Sequence, residues 1–161
     1  MLPLIRRTDT LVTKATVPGP DGDKPIVAGM AFWHLPGAAV DNLQKRKPAD
    51  EKIEEEREAW EQVDWEKWNG MLEKYDVVRR QVMGEEPHWY LGPLWTHPDY
   101  QGQGVGGALL QYAISLAEAS GAPMYLEASP AGQPVYARYG WQRVGGTETV
   151  MIRRSEVKAQ Q

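Results

Sequence analysis

Between Gln101 and Gly107 the chain reads Gln-Gly-Gln-Gly-Val-Gly-Gly, directly ahead of a stretch with a helical pattern. Amide N–H groups at a helix start have no intrahelical acceptor, and the aligned peptide dipoles add partial positive charge there. Glycine lets an anion come close to such a backbone. A single glycine would be explained by a tight turn between strand and helix. Glycines at 102, 104 and 106 point instead to a phosphate-binding loop.

Several other chemistries are excluded. There is no cysteine, so there is no thiolate nucleophile and no cysteine-ligated zinc. His34, His88 and His97 are far apart in sequence and form no HExxH pair, so no metal site is expected. No G-x-x-x-x-G-K-[ST] is present. Residues 102–107 do match G-x-G-x-x-G, and Glu127 lies about 20 residues on, as a dinucleotide fingerprint asks. Two features oppose that reading. Thr96 to Gln101 intervenes between strand and glycines, and the chain after Glu127 is too short for further parallel crossovers.

The bulk properties fit one domain with a real core: 161 residues, 42% hydrophobic. A net charge of −4 gives no basic surface for nucleic acid. No apolar run is long enough to cross a bilayer. The absence of cysteine fits a reducing compartment, and an intracellular, cytoplasmic location is the expectation. The acids from Asp50 to Glu66 read as a solvated helix face, with attraction of a cationic substrate as the alternative.

These residues need elements to hold them. Residues 11–17 and 25–35 read as a hairpin across a Pro/Gly/Asp turn. Residues 50–83 are helical, with Ile53, Trp60, Val63, Leu72, Tyr75, Val78 and Val82 on one face and a break at Asn69-Gly70. His88 to Thr96 is a strand made irregular by Pro93, which cannot donate a ladder hydrogen bond. Residues 97–103 form a loop. A helix follows from Gly104 to Ser120, with Leu109, Leu110, Ala113, Ile114, Leu116 and Ala117 buried and Gly121 as its stop. Then come a strand at 123–128, a short helix carrying Tyr136, and an antiparallel pair at 141–144 and 147–153. The fold class is α/β: a single domain, residues 1–161, with a mixed, mostly antiparallel sheet flanked by helices and a helical insertion at about 50–83.

The stretch from Tyr90 to Val144 resembles the GNAT superfamily of acyl-CoA-dependent N-acetyltransferases. The resemblance rests on Leu94-Trp95-Thr96-His97-Pro98 followed by Gln101-Gly102-Gln103-Gly104-Val105-Gly106, a strand leading to Q/R-x-x-G-x-G/A at a helix start. It also rests on Leu126 to Pro130 followed by Tyr136-Ala137-Arg138-Tyr139-Gly140-Trp141, which matches Y-x-x-x-G-F. The resemblance implies that acetyl-CoA is the cosubstrate. Gln101, Gly102, Gln103, Gly104, Val105 and Gly106 would hold its pyrophosphate. Leu94, Trp95 and Thr96 would lie along the pantetheine arm, with the backbone of Leu94 and Thr96 pairing to it and the Leu94 N–H polarising the thioester carbonyl. Ser129 would touch the pantetheine, and Tyr136 would protonate the departing thiolate. Tyr139 stands where relatives carry leucine and is read as core. Arg138 and Arg143 are within reach of a phosphate.

Two departures stand out. Relatives place a carboxylate in the strand before the loop, whereas Tyr90-Leu91-Gly92-Pro93 holds none; Glu86, His88 and Glu127 are the neighbouring substitutes. Only about ten residues precede the first strand: either the N-terminus is a shortened version, or another subunit or the 50–83 helices fill that place, and a shortened wall would expose apolar surface that favours a partner, with a homodimer as one option. The expected reaction is acetyl transfer to a primary amine, with a small-molecule acceptor. A non-catalytic CoA-binding module is the alternative.

Overall fold

The computed structural model describes residues 8–19, 24–41 and 61–155. The chain forms two compact units, Met1–Ala38 with Pro87–Gln161, and Ala39–Glu86. The first unit carries a six-stranded sheet. Its strands are β1 (Thr10–Val17), β2 (Ile26–His34), β3 (Trp89–Thr96), β4 (Met124–Glu127), β5 (Gln142–Arg143) and β6 (Val150–Arg153), in the spatial order β1-β2-β3-β4-β6-β5. Only β3 and β4 run parallel; every other neighbouring pair is antiparallel. A dinucleotide fold needs several parallel strands in succession, so this sheet removes that reading of the glycines.

Pro93 acts as its chemistry requires. Leu91 pairs with Trp33 and Leu94 with Ala31, so Gly92 and Pro93 together oppose the single residue Phe32. This is a β-bulge, which bends the strand and re-aims the residues after it. On the other edge of β3 the pairing with β4 covers Trp89↔Met124 and Tyr90↔Tyr125 and then stops. β4 continues to Glu127 against β6 alone. From Leu91 onward a gap separates the two central strands.

One helix, α2 (Val105–Ser120), covers one face of this sheet; α1 (Trp65–Met83) belongs to the second unit. Its Leu109, Leu110, Ala113 and Ala117 pack with Ala31, Trp33, Leu91, Met124 and Leu126. Those positions recur at helical spacing against strand residues that alternate in and out. Leu116, expected in the stripe, is 36% exposed, because it shares the solvent side with Tyr112 one turn earlier. Gly121 ends the helix in a left-handed conformation, as expected. Polar ties fix the ends of the packed layer. Trp89 Nε1 donates to Ser120 Oγ at 3.2 Å, and Arg153 donates to Glu118 Oε1 at 2.5 Å and to the Tyr139 carbonyl at 3.0 Å. A short helix, α3 (Gln133–Arg138), follows β4. It starts four residues after Ser129, because Ser129 to Gly132 is spent on a turn in which Ser129 Oγ accepts the Gly132 N–H.

The second unit contributes α1 (Trp65–Met83), whose N-cap Asp64 accepts from the Lys67 amide. The helix runs through Asn69-Gly70 without the expected break. A lone glycine inside a helix costs about 1 kcal/mol, less than the surrounding helix-forming residues restore. The expected apolar face is also only partly right. Leu72, Tyr75, Val78 and Val82 are half-buried, whereas the buried positions are Asp76, Arg79 and Met83. Arg79 is 2% exposed and forms ion pairs with Asp76, at 2.9 Å, and with Asp41. Partial burial pushes the Asp41 carboxyl upward, but the hydrogen bond from Arg80 and the charges of Arg79 and Arg80 outweigh this and hold it below the usual carboxylate value. Ile53, Trp60, the rest of 50–60 and most of the acidic run lie outside the described residues.

A close approach joins α2 to the turn after α3. A Cβ on Gly107 would sit 2.0 Å from the Tyr139 hydroxyl oxygen. The Tyr139 ring is packed against the core, so it cannot swing freely away. Gly107→Ala should therefore lower unfolding stability by about 1–3 kcal/mol, the range for overpacking. In urea titrations the loss should be smaller in a Tyr139→Phe background.

Candidate active site

The approach to the glycines is more ordered than a plain loop. After β3, Pro98–Tyr100 forms one 3-10 turn, with the His97 side chain accepting from the Asp99 amide at 3.3 Å. Gln101 Nε2 reaches back to the Thr96 carbonyl at 3.3 Å, and Gln103 Nε2 to the Asp99 carbonyl at 2.9 Å. The two glutamines thus brace the loop; Gln101 lines the cavity at the helix start, whereas Gln103 does not. Gly102 and Gly104 take φ of 73° and 83°, the left-handed region in which a Cβ is penalised. Gly104 is the N-cap of α2 and offers no capping side chain. The first helical bond runs from the Ala108 amide to the Gly104 carbonyl at 2.9 Å. The amides of Val105, Gly106 and Gly107 precede it and open toward whatever lies at the helix start.

A cavity of about 440 Å³ occupies that place. It brings together residues far apart in sequence: Leu94 and Thr96 of β3, Gln101, Gly102, Gly104, Val105 and Gly106 of the loop and helix start, Ser129 after β4, and Tyr136 of α3. Strand alternation explains Leu94 and Thr96. It also explains Trp95, whose side chain is 42% exposed and lies on the other face of the sheet, outside the cavity.

The backbone of β3 follows the same alternation. The His97 amide bonds to the Ala28 carbonyl of β2 at 2.8 Å, so the peptide groups of Thr96 and Leu94 turn away from β2, toward the gap. The Gln101 contact to the Thr96 carbonyl lies on that side. A strand edge of this kind can take an extended ligand as an added strand.

Tyr136 is half-buried, with its ring edge-on to Trp141 at 6.0 Å. Burial pushes its hydroxyl above the usual tyrosine value of 10.0. Ser129 lines the same cavity, with its hydroxyl already bonded to the Gly132 amide. Arg138 reaches the cavity and Arg143, exposed on β5, does not line it.

Tyr139 is core, as expected, but it also lines the cavity. Tyr100, Leu110 and Val135 also line the walls; Leu110 was expected as part of the helix's buried stripe rather than at the site, and Tyr100 and Val135 were not expected there. Leu110 falls one helical turn after Gly106, a spacing that places both on one face. Tyr100 and Val135 carry no comparable local signal.

Of the three substitute acids and bases, Glu86 belongs to the other unit. His88 packs its ring 5.8 Å from Tyr125. Glu127 ends β4 at the gap. Among the described residues no three His, Cys, Asp or Glu side chains cluster as a metal site, and no helix is long and apolar enough to cross a membrane.

The sequence profile of the acetyltransferase (GNAT) family matches residues 51–141, more than half of the chain. The fold is similar to that of a histone acetyltransferase HPA2 and related acetyltransferase from Corynebacterium glutamicum ATCC 13032. The TM-score is 0.52 and the identity 21%, over 94% of this chain and 68% of that one. The chain is also similar to the GNAT family N-acetyltransferase YhbS from Escherichia coli, a structure in complex with CoA. There the TM-score is 0.42 and the identity 15%, over 86% of this chain and 56% of that one. A glycine-rich helix start, an unpaired strand edge and a tyrosine meet in one cavity, within the region that the profile matches, and the chain belongs to the acetyltransferase (GNAT) family of acetyl-CoA-dependent enzymes.

Proposed function

We propose that this chain transfers the acetyl group of acetyl-CoA to a primary amine on a small molecule by direct attack. The observation that carries the reading is the single cavity in which the uncapped start of α2, the unpaired edge of β3 and Tyr136 converge. The amides from Gln103 to Gly106, with Gln101 and Gly102 beside them, hold the pyrophosphate at the positive end of the helix. The backbone of Leu94 and Thr96 pairs with the pantetheine arm, which runs past Trp95 between them. The Leu94 N–H points to where charge develops on the thioester oxygen. Ser129 contacts the arm from the β4 side. Tyr136 supplies the proton that the departing thiolate needs. Residues 50–83 are read as a helical insertion in one acetyltransferase domain, and the assembly as a homodimer.

Acetyl-CoA at about 100 times its dissociation constant should stabilise the protein by roughly 2.7 kcal/mol, read as a raised Tm, with no such effect from NADH. Release of free CoA in the presence of a panel of primary amines tests the transfer itself. Acetyl-CoA binding without turnover on any amine would mean a cofactor-binding module instead.

Tyr136→Phe should lower kcat by about 10²-fold or more while leaving the acetyl-CoA dissociation constant within a few-fold. The raised Tyr136 hydroxyl keeps its proton through the neutral and mildly alkaline range. The wild-type rate should therefore show no alkaline fall assignable to Tyr136 below about pH 10.

A further inference from the structure

Resting on the reading above that the start of α2 holds the CoA pyrophosphate, we infer that the Tyr139 hydroxyl donates to a phosphate oxygen of the cofactor. Tyr139 then adds a side-chain donor to the backbone amides, a role that core packing does not require of it.

The position of the hydroxyl follows from Gly107. A Cβ there would lie 2.0 Å from the Tyr139 hydroxyl oxygen and 3.0 Å from its ring carbon Cζ. Every Cα–Cβ bond of a helix tilts toward the N-terminus. The hydroxyl therefore lies level with the first turn of α2, beside the amides that have no intrahelical acceptor. On another flank of the same turn, a Cβ on Gly106 would meet Thr96 Oγ1 at 3.7 Å and Leu94 Cδ2 at 3.8 Å. The helix start is thus flanked by β3 and by Tyr139, and all five of these residues line the one cavity.

Tyr139 is held in this place by its backbone and its ring. It stands at the C-cap of α3, three residues after Tyr136, so both side chains lie on one side of that helix. Its N–H donates to the Tyr136 carbonyl at 2.9 Å, and its carbonyl accepts from Arg153 at 3.0 Å. Its ring packs against the core. The hydroxyl has no hydrogen-bond partner among the described residues, whereas a largely buried tyrosine generally finds one. The leucine that relatives carry here would fill the same core and offer no donor.

The surroundings select the ligand group. The open amides and the dipole of α2 favour an anion at this point. Among the described residues no carboxylate lines the cavity to compete for the hydroxyl. A phenol can donate to a phosphate oxygen, and a hydrogen bond to a charged acceptor is roughly twice as strong as one between neutral groups.

The test is binding without any amine, comparing CoA, by calorimetry, with pantetheine, the same arm without its phosphates, by competition against CoA. Tyr139→Phe removes one oxygen and keeps the ring. It should weaken CoA binding by about tenfold or more and pantetheine binding by less than about threefold. Equal losses for the two ligands would mean that the hydroxyl props the helix start without touching phosphate, and would overturn the inference. CoA affinity unchanged from wild type overturns it as well. Tyr139→Leu, which installs the side chain that relatives carry, should lose as much CoA affinity as the phenylalanine variant; wild-type affinity in that protein is a second overturning result. Wild type that binds pantetheine as tightly as CoA sinks the pyrophosphate reading itself, an outcome distinct from a loss confined to the variants. Turnover on an amine enters none of these measurements, so a failure of acetyl transfer leaves them unaffected.

Discussion

The parting of β3 and β4 after two residue pairs is the constraint on which the site depends. A parallel pair normally continues for the length of its strands, because unpaired backbone groups in a sheet interior are costly. Here the bulge at Gly92-Pro93 bends β3, and proline has no N–H to offer a ladder. The result is an interior strand edge with its peptide groups turned into open space. Such an edge is stable when water or an extended ligand supplies its partners. A pantetheine arm carries amides that can do so, which is why this defect in the sheet is also its binding surface.

The second requirement is rigidity around that opening. α2 serves two purposes at once. Its buried stripe of Leu109, Leu110, Ala113 and Ala117 locks it to the sheet, and its uncapped first turn faces the cavity. Because both functions sit on one helix, core packing sets the position of the anion site. Arg153 links α2 to the turn after α3 through Glu118 and the Tyr139 carbonyl. The Tyr139 hydroxyl fills the space left by the missing Cβ of Gly107. Tyr136 is carried by the same short helix, so the proton donor and the phosphate loop are held in register by contacts that belong to the core. Sites built on packed elements are held more tightly than sites on free loops.

The second unit follows a different logic. Its helix buries the ion pair Asp76–Arg79 rather than an apolar stripe, and the exposed Asp41 pairs with the same Arg79. Buried ion pairs add little stability against apolar replacements, but removing one partner is costly because the other charge is left in low dielectric. Such a network favours one arrangement of the helix and the Asp41 segment. Nothing in the helical spacing of residues 65–83 announces this, since Asp76 and Arg79 look like solvent-facing charges until their partner 38 positions away from Arg79 is brought beside them.

Much was determined by the sequence alone. Alternation and turn residues located the strands, Gly104 and Gly121 marked the ends of α2, Pro93 marked the irregular point of β3, and two spaced motifs indicated the cofactor family. These are local effects of backbone sterics and hydrogen-bonding capacity, which act within a few residues and are therefore readable in order along the chain. Local reading failed at Asn69-Gly70, where neighbouring helix formers carry the helix through, at Leu116, which falls on the solvent side, and on the buried face of α1, where the distant Asp41 pairs with Arg79. Only the tertiary structure decided that Leu94, Gly104, Ser129 and Tyr136 share one cavity, that Trp95 faces away from it, and that Glu127 stands at the gap. Those facts depend on strand pairing, bulge and register, and a register shift of one residue would move every one of these side chains to the opposite face.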